Sequence, residues 1–256
     1  MSTSLLRLEG IGKHFGGIQA LQGISLSITP HSLYGLIGPN GAGKTTLFNI
    51  ITGFYQADLG EMFLAGTPLP SRIAPHEFNR RGIARTFQNI RLFPQMSVLD
   101  NVLVGRFRHR GSSILDSVLR TRRFREDEQR QRGVARDLLQ LMGLEGRERN
   151  VAATLAYGEQ RRLEIARALA TEPQLLALDE PAAGMNGRET EELGQRLQSL
   201  QKNGLTLMVV EHDLPWVLRL CDRIAVLDFG HLVVDDVPAV VQRHPQVIAA
   251  YLGGED

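Results

Sequence analysis

Lys44 and Thr45 close the run Gly38-Pro39-Asn40-Gly41-Ala42-Gly43-Lys44-Thr45-Thr46, which fits G-x-x-x-x-G-K-[ST]. Those residue types at that spacing bind phosphate. The glycines let the backbone curl so that successive N–H groups point inward at phosphate oxygens. A helix that starts there adds unpaired N–H groups and the positive end of its dipole. The Lys44 ammonium can reach the β- and γ-phosphates, and the Thr45 hydroxyl suits Mg²⁺. An acidic pair, Asp179-Glu180, ends the apolar run Leu175 to Leu178. Asp179 reads as a Mg²⁺ ligand acting through water. Glu180 reads as the general base that polarises an attacking water. Gln88 and His212 mean little alone, but each ends a strand predicted for the sheet edge that carries the phosphate loop. That makes both candidate contacts to the γ-phosphate or the attacking water.

The elements that must hold these residues follow from the pattern of apolar side chains. Leu33 to Ile37 precedes the loop as a strand, and Leu47, Ile50 and Ile51 recur behind it at helical spacing. The runs Leu175–Leu178 and Leu207–Val210 are continuous, as in buried parallel strands, and ligands bind at the carboxyl ends of such strands. Leu5 to Glu9 and Ile24 to Ile28 alternate, which predicts strands of a small antiparallel sheet. Between them Phe15 precedes Gly16-Gly17, where an exposed ring can stack on a base. Asp58-Leu59-Gly60-Glu61 predicts a turn, Met62 to Ala65 a short strand, and Gly82 to Phe87 a strand ending at Gln88. Val98–Val104, Val134–Met142, Arg188–Lys202 and Gln246–Leu252 predict helices. Leu155-Ala156-Tyr157-Gly158-Glu159-Gln160 opens another, running to Leu169. Arg106 to Arg132 carries nine arginines against four acids, with Ile114, Leu115, Val118 and Leu119 at helical spacing. That insert reads either as a solvated helix or as a face near anionic lipid headgroups.

Composition narrows the classes. A length of 256 residues allows one large domain or a core with a subdomain. A net charge of +1 supplies no global attraction to nucleic acid. The single cysteine, Cys221, excludes an internal disulfide and fits a reducing compartment; it reads as a core residue of a short helix. No apolar run approaches the roughly 20 residues that span a bilayer, and Met1 to Gly10 lacks a signal-peptide core. Any association with a membrane is therefore expected to be peripheral.

In order along the chain, the phosphate loop, Gln88, Leu155 to Gln160, Leu175 to Glu180 and His212 resemble the ATP-binding subunits of ABC transporters. More narrowly, Arg85-Thr86-Phe87-Gln88-Asn89-Ile90-Arg91-Leu92-Phe93, Leu155 to Glu164, Pro181 to Asn186 and Ala250 to Gly253 are similar to the ATPases of branched-chain amino acid importers. The resemblance implies an α/β P-loop ATPase fold with a mostly parallel sheet. It also implies its division: an antiparallel β subdomain over 5–32 and 60–70, a nucleotide-binding core over 33–88 and 160–235, a helical subdomain with the Arg-rich insert over 89–159, and a helical tail over 236–256. It implies ATP and Mg²⁺ as cofactors, with Thr45, Gln88 and Asp179 toward the metal. Phe15 would stack the adenine. Gln88 would link the Mg²⁺ site to the helical subdomain that grips membrane permease subunits. The signature Ala156-Tyr157-Gly158-Glu159-Gln160 would contact ATP held by a second ATPase subunit, head to tail. An external solute-binding protein would be an indirect partner, and nucleic acid would not be one. Two residues depart from the broader family: Ala156, where the signature usually begins Leu-Ser, and Asn186, where the loop after the base usually ends in Asp. Two alternatives stay open at this point: the ATPase of a lipid or lipopolysaccharide exporter, and a soluble ABC ATPase without a transport role.

Overall fold

A computed structural model of the chain describes residues 4–70, 73–109, 111, 116, 119 and 121–252. The chain divides into two compact units: Met1–Arg85, Gln174–Pro181 and Leu197–Asp256 form the first, Thr86–Pro173 and Ala182–Arg196 the second.

The first unit holds two sheets. Strands β1 (Leu6–Phe15), β2 (Ile18–Ile28), β4 (Leu59–Leu64) and β5 (Thr67–Pro68) form an antiparallel sheet in the order β2-β1-β4-β5. Strands β3 (Leu33–Ile37), β6 (Ile83–Arg85), β7 (Leu175–Asp179), β8 (Thr206–Val210), β9 (Arg223–Asp228) and β10 (His231–Asp236) form the second, ordered β10-β9-β3-β8-β7-β6. All its neighbours are parallel except the edge pair β9–β10. Every residue of β3, β7 and β8 is buried, because helices and the other sheet must cover both faces. Between the two sheets, Leu6, Leu8, Ile24, Tyr34, Leu36, Ala177 and Met208 share one core with Leu47, Phe48 and Ile51 of helix α1 (Lys44–Ile51). Helix α2 (Pro75–Arg80) adds Phe78 to it.

The second unit is helical. Helices α3 (Val98–Gly105), α4 (Arg122–Leu141) and α5 (Tyr157–Leu169) meet through Val98, Val102, Leu139 and Leu163, all fully buried. Helix α6 (Gly187–Lys202) starts in this unit.

Three expectations from sequence need correction. Strand β6 stops at Arg85, so Gln88 lies three residues beyond a strand end rather than on it. β6 is an edge strand paired only with β7, and the carbonyls of Phe87 and Gln88 accept from the Arg161 guanidinium instead of a ladder. Leu59 to Glu61 is strand rather than turn, because Leu59 pairs with Gly12 and Glu61 with Glu9. Helix α4 begins at Arg122 rather than Val134. Its first half lacks apolar periodicity but carries a Thr121 cap and the pairs Arg122–Glu126 and Arg132–Glu128 at i,i+4.

The Arg-rich insert is accordingly less of an uncompensated cationic face than its composition suggests. Arg106 is 5% exposed. It donates through Nε to Gln131 at 2.8 Å and pairs through Nη1 with Glu172. Asp127 accepts from Gly111 N, Gln131 and Arg130, and these bonds outweigh its burial and hold its carboxyl below the usual range. Leu119 is exposed; Ile114, Leu115 and Val118 lie outside the described residues. Cys221 follows helix α7 (Leu214–Leu220) directly and is buried, which pushes its thiol pKa far up.

Candidate active site

The site in the first unit is built on one edge of the parallel sheet. The chain leaves β3 at Ile37 into the phosphate loop, leaves β7 at Asp179 and leaves β8 at Val210, with Asp179 opposite Val210. Gly38 packs so closely on Leu227 that a Cβ would stand 2.2 Å from its carbonyl oxygen. Gly43, the residue before α1, has φ +100, and a Cβ there would lie 2.8 Å from Ala20 O. Glycine at these two positions is thus a steric requirement, and it lets the loop wrap tightly over the α1 start. No side chain caps that start. Its first N–H groups remain directed along the helix axis, where an anion is favoured.

Lys44 is 9% exposed and donates through Nζ to the carbonyls of Gly38 at 2.6 Å and Pro39 at 2.9 Å. Burial lowers its ammonium pKa, and the Glu180 carboxylate opposes that shift. Glu180 takes φ +44, a left-handed conformation that costs a non-glycine residue roughly 1–2 kcal/mol. Its N–H is held by Val210 O at 3.0 Å. His212 lies two residues past β8 and is exposed; its Nδ1 stands 3.9 Å from Glu180 Oε1 and 3.7 Å from Glu211 Oε2. Lys44, Glu180 and His212 are thereby brought together at the carboxyl ends of adjacent strands.

The donor set fits Mg²⁺. Thr45 brings a hydroxyl and Asp179 a carboxylate, both hard oxygen ligands. Among the described residues no group of three or more His, Cys, Asp or Glu could cage a metal. Mg²⁺ is commonly held by one or two carboxylates with substrate phosphates and water completing the octahedron.

Phe15, at the end of β1, is 43% exposed and meets Tyr55 edge-on at 5.4 Å between ring centres. Asp58 fixes the chain before it, accepting from Lys13 Nζ at 2.8 Å and His14 N at 2.7 Å. The Lys13 bond first, then the His14 bond, hold the Asp58 carboxyl below its ordinary range. Sequence reasoning found Phe15 but not Tyr55 or Asp58, which only the pairing of β1 with β4 brings beside it.

Gln88 and Ala156 to Gln160 belong to the second unit. Ala156 stands immediately before α5 and has no side-chain acceptor to cap it. Glu159 reaches back to Ala156 N at 3.1 Å and also pairs with Arg147 at 3.2 Å. Arg161, four residues into the helix, donates to Phe87 O at 2.7 Å and to Gln88 O. Glu164 accepts from Arg91 N at 3.2 Å, and its burial raises the carboxyl pKa. The stretch around Gln88 is therefore fastened to α5 by Arg161 and Glu164, which the sequence marks only as part of a resemblance.

The family model described as ABC transporter matches residues 21–183, and the model described as branched-chain amino acid ATP-binding cassette transporter matches 232–256. The chain is 40% identical over 254 residues to the high-affinity branched-chain amino acid transport ATP-binding protein BraF of Pseudomonas aeruginosa, covering 99% of each. Among solved structures it resembles the ADP conformation of MJ1267, an ATP-binding cassette of an ABC transporter: 32% identity, TM-score 0.84, 98% and 99% of the two chains covered. It also resembles the dimeric structure of MJ0796, a bacterial ABC transporter cassette, at 27% identity and TM-score 0.76, with 91% and 98% covered. The chain belongs to the ABC transporter family of ATP-binding proteins.

Proposed function

We propose that this chain is the ATP-hydrolysing subunit that powers import of branched-chain amino acids. The observation that carries the reading is the convergence of Lys44, Glu180 and His212 on one sheet edge, beside the uncapped start of α1, in a chain this similar to BraF. Lys44, Thr46 and the loop N–H groups bind the phosphates of ATP. Phe15 stacks the adenine, with Tyr55 behind it. Glu180 takes a proton from the attacking water, and His212 orients that water and the γ-phosphate. Thr45 and Asp179 would hold Mg²⁺, with Gln88 the further ligand that the family resemblance implies, and the ion when bound would neutralise charge on the phosphates. The signature Ala156 to Gln160 completes the site of a second ATPase subunit, and that subunit's signature completes this one. ATP held between the two draws the dimer shut and hydrolysis releases it, a difference in binding that can drive a coupled permease. No helix among the described residues is long and apolar enough to cross a membrane; in this reading the chain is held at the cytoplasmic face by permease subunits.

The experiment is to purify the intact complex, identify its permease, and reconstitute it with its solute-binding protein. Leucine, isoleucine or valine should stimulate ATP hydrolysis. Stimulation only by an amide or urea overturns the substrate assignment and leaves the importer reading. Purification without any membrane protein overturns transport.

A further inference from the structure

Arg85 has no task in the nucleotide reading, yet its guanidinium is held on both its flat face and its edge. Its guanidinium lies 4.6 Å from the centre of the Phe48 ring and 4.3 Å from that of Phe54. Nη1 donates to Asn49 Oδ1 and to Thr52 Oγ1, each at 2.9 Å. Nη2 stands 3.8 Å from Asp179 Oδ2. Both side chains of that pair are nearly buried, 12% and 10% exposed. One planar group thus joins the last turn of α1 to the end of β7.

That placement has a mechanical consequence. Helix α1 carries Lys44 and Thr45 at its start and Phe48, Asn49 and, just past its end, Thr52 at the other. Asp179 comes from a different strand, and Arg85 ties it to the helix that carries Thr45. The planar fork is what allows this: one arm is spent on two oxygens of the helix end while the other faces the carboxylate. An ammonium has no such divided geometry, and it would give up the flat face against the two rings.

We propose that Arg85 is a positioning residue that sets the Asp179 carboxylate for Mg²⁺ by anchoring it to the far end of the phosphate-loop helix. The inference rests on the nucleotide reading above and deepens it. Its proposed role is exerted through Asp179 and not on the nucleotide or the metal directly.

The test uses the full chain and a fluorescent ATP analogue. Its affinity is measured in excess EDTA and again across a Mg²⁺ titration, so the readout is metal-dependent binding rather than turnover. Arg85→Gln should raise the half-saturating Mg²⁺ concentration roughly tenfold, the scale of losing an interaction with a charged group. Affinity in EDTA should stay within about twofold of wild type, since the phosphate loop is untouched. Arg85→Lys keeps the charge and loses the fork, so it should shift the Mg²⁺ requirement about threefold or more. In an Asp179→Asn background, Arg85→Gln should add nothing. An unchanged Mg²⁺ requirement in folded Arg85→Gln overturns the proposal. So does an equal loss of affinity in EDTA, or a full further shift in the Asp179→Asn background. Should Arg85→Gln fail to fold, Arg85→Lys decides by the same criteria. A wild-type chain that binds no nucleotide at all would instead overturn the reading on which the inference rests.

Discussion

Helices α5 and α6 start in the same unit and start differently. At α6, Asn186 Oδ1 accepts from Glu189 N and Glu189 Oε2 accepts from Asn186 N, each at 3.0 Å, a complete capping box. At α5 only half of it exists: Glu159 returns to Ala156 N, but Ala156 offers no oxygen to the N–H groups ahead of it. Helices α3 and α4 are capped like α6, by Ser97 and Thr121. Helix α1 is uncapped like α5. Two short helices, α2 and Pro238–Val241, also lack a side-chain cap, but each opens on a proline, which has no N–H to satisfy. Of the open starts without proline, α1 and α5 are the two that the ATPase reading directs at phosphate. A cap satisfies donors from within the chain, whereas an open start leaves them for an external anion at some cost in stability. The Asn186 departure also acquires a local task, since its amide oxygen does for α6 what an aspartate would do.

The largest expected effects test whether the α1 start and its neighbours carry the chemistry. Glu180→Gln keeps the shape of the side chain and removes its basicity. Turnover should fall by about 10²-fold or more while ATP binding is retained, as read by phosphate release beside nucleotide affinity. Lys44→Ala should instead lose affinity, by about 1.5–3 kcal/mol for the charge-assisted bonds. If Glu180→Gln hydrolyses ATP at the wild-type rate, the base lies elsewhere and the open start at α1 is only a binding feature.

A smaller effect sharpens the contrast between α5 and α6 directly. Asn186→Ala opens a closed helix start and should cost about 1 kcal/mol in chemical denaturation, with ATP affinity of the isolated chain unchanged. Ala156→Ser does the reverse. Its hydroxyl oxygen can accept from Glu159 N, completing the box, and should stabilise the chain by about 0.5–1 kcal/mol. Its proton can also point across to a partner's γ-phosphate. In the assembled complex hydrolysis should then rise severalfold, up to roughly tenfold. A stability gain with no change in rate would mean that the backbone donors of α5 already suffice, and that the two ATP sites are not made unequal by Ala156.

What could be read in the sequence was what neighbouring residues determine together. The loop glycines, Lys44 and the strand before them are contiguous, so spacing alone set them on a strand, a turn and a helix. Continuous apolar runs marked β7 and β8 because both faces of those strands are buried. The misjudged end of β6 belongs to an edge strand, where pairing on one side leaves the exit to side chains such as Arg161, distant in sequence. Arg106 looked like one member of a cationic run. Its burial is decided by Gln131 and Glu172, which no local pattern connects to it. Arg85 was visible only as part of a resemblance. Its contacts to Asn49, Thr52 and Asp179 join three segments of chain, a kind of information that periodicity does not contain.

The smallest effect is expected at Phe15, proposed to stack the adenine, where no helix start is involved and an exposed ion pair does the holding. Asp58 accepts from Lys13 Nζ and His14 N, and so fixes the strand just before Phe15. Asp58→Asn keeps an acceptor for the His14 N–H and removes the charge facing Lys13. ATP affinity should fall only about two- to threefold, as befits an exposed pair, while affinity for inorganic triphosphate, which has no base to stack, stays the same. The pH dependence follows from the direction of the shift. Lys13 first, and the His14 N–H second, hold the Asp58 carboxyl below its ordinary value. Its contribution is therefore complete above the ordinary carboxylate range near pH 4 and is lost as pH falls through the lowered value. The ratio of wild-type to Asp58→Asn affinity should stay constant from about pH 8 to about pH 5 and approach one only below the ordinary carboxylate range. A ratio that changes across neutral pH would point to His14 rather than Asp58 as the group that sets the Phe15 platform, and an equal loss of triphosphate affinity would place the effect at the phosphate loop instead.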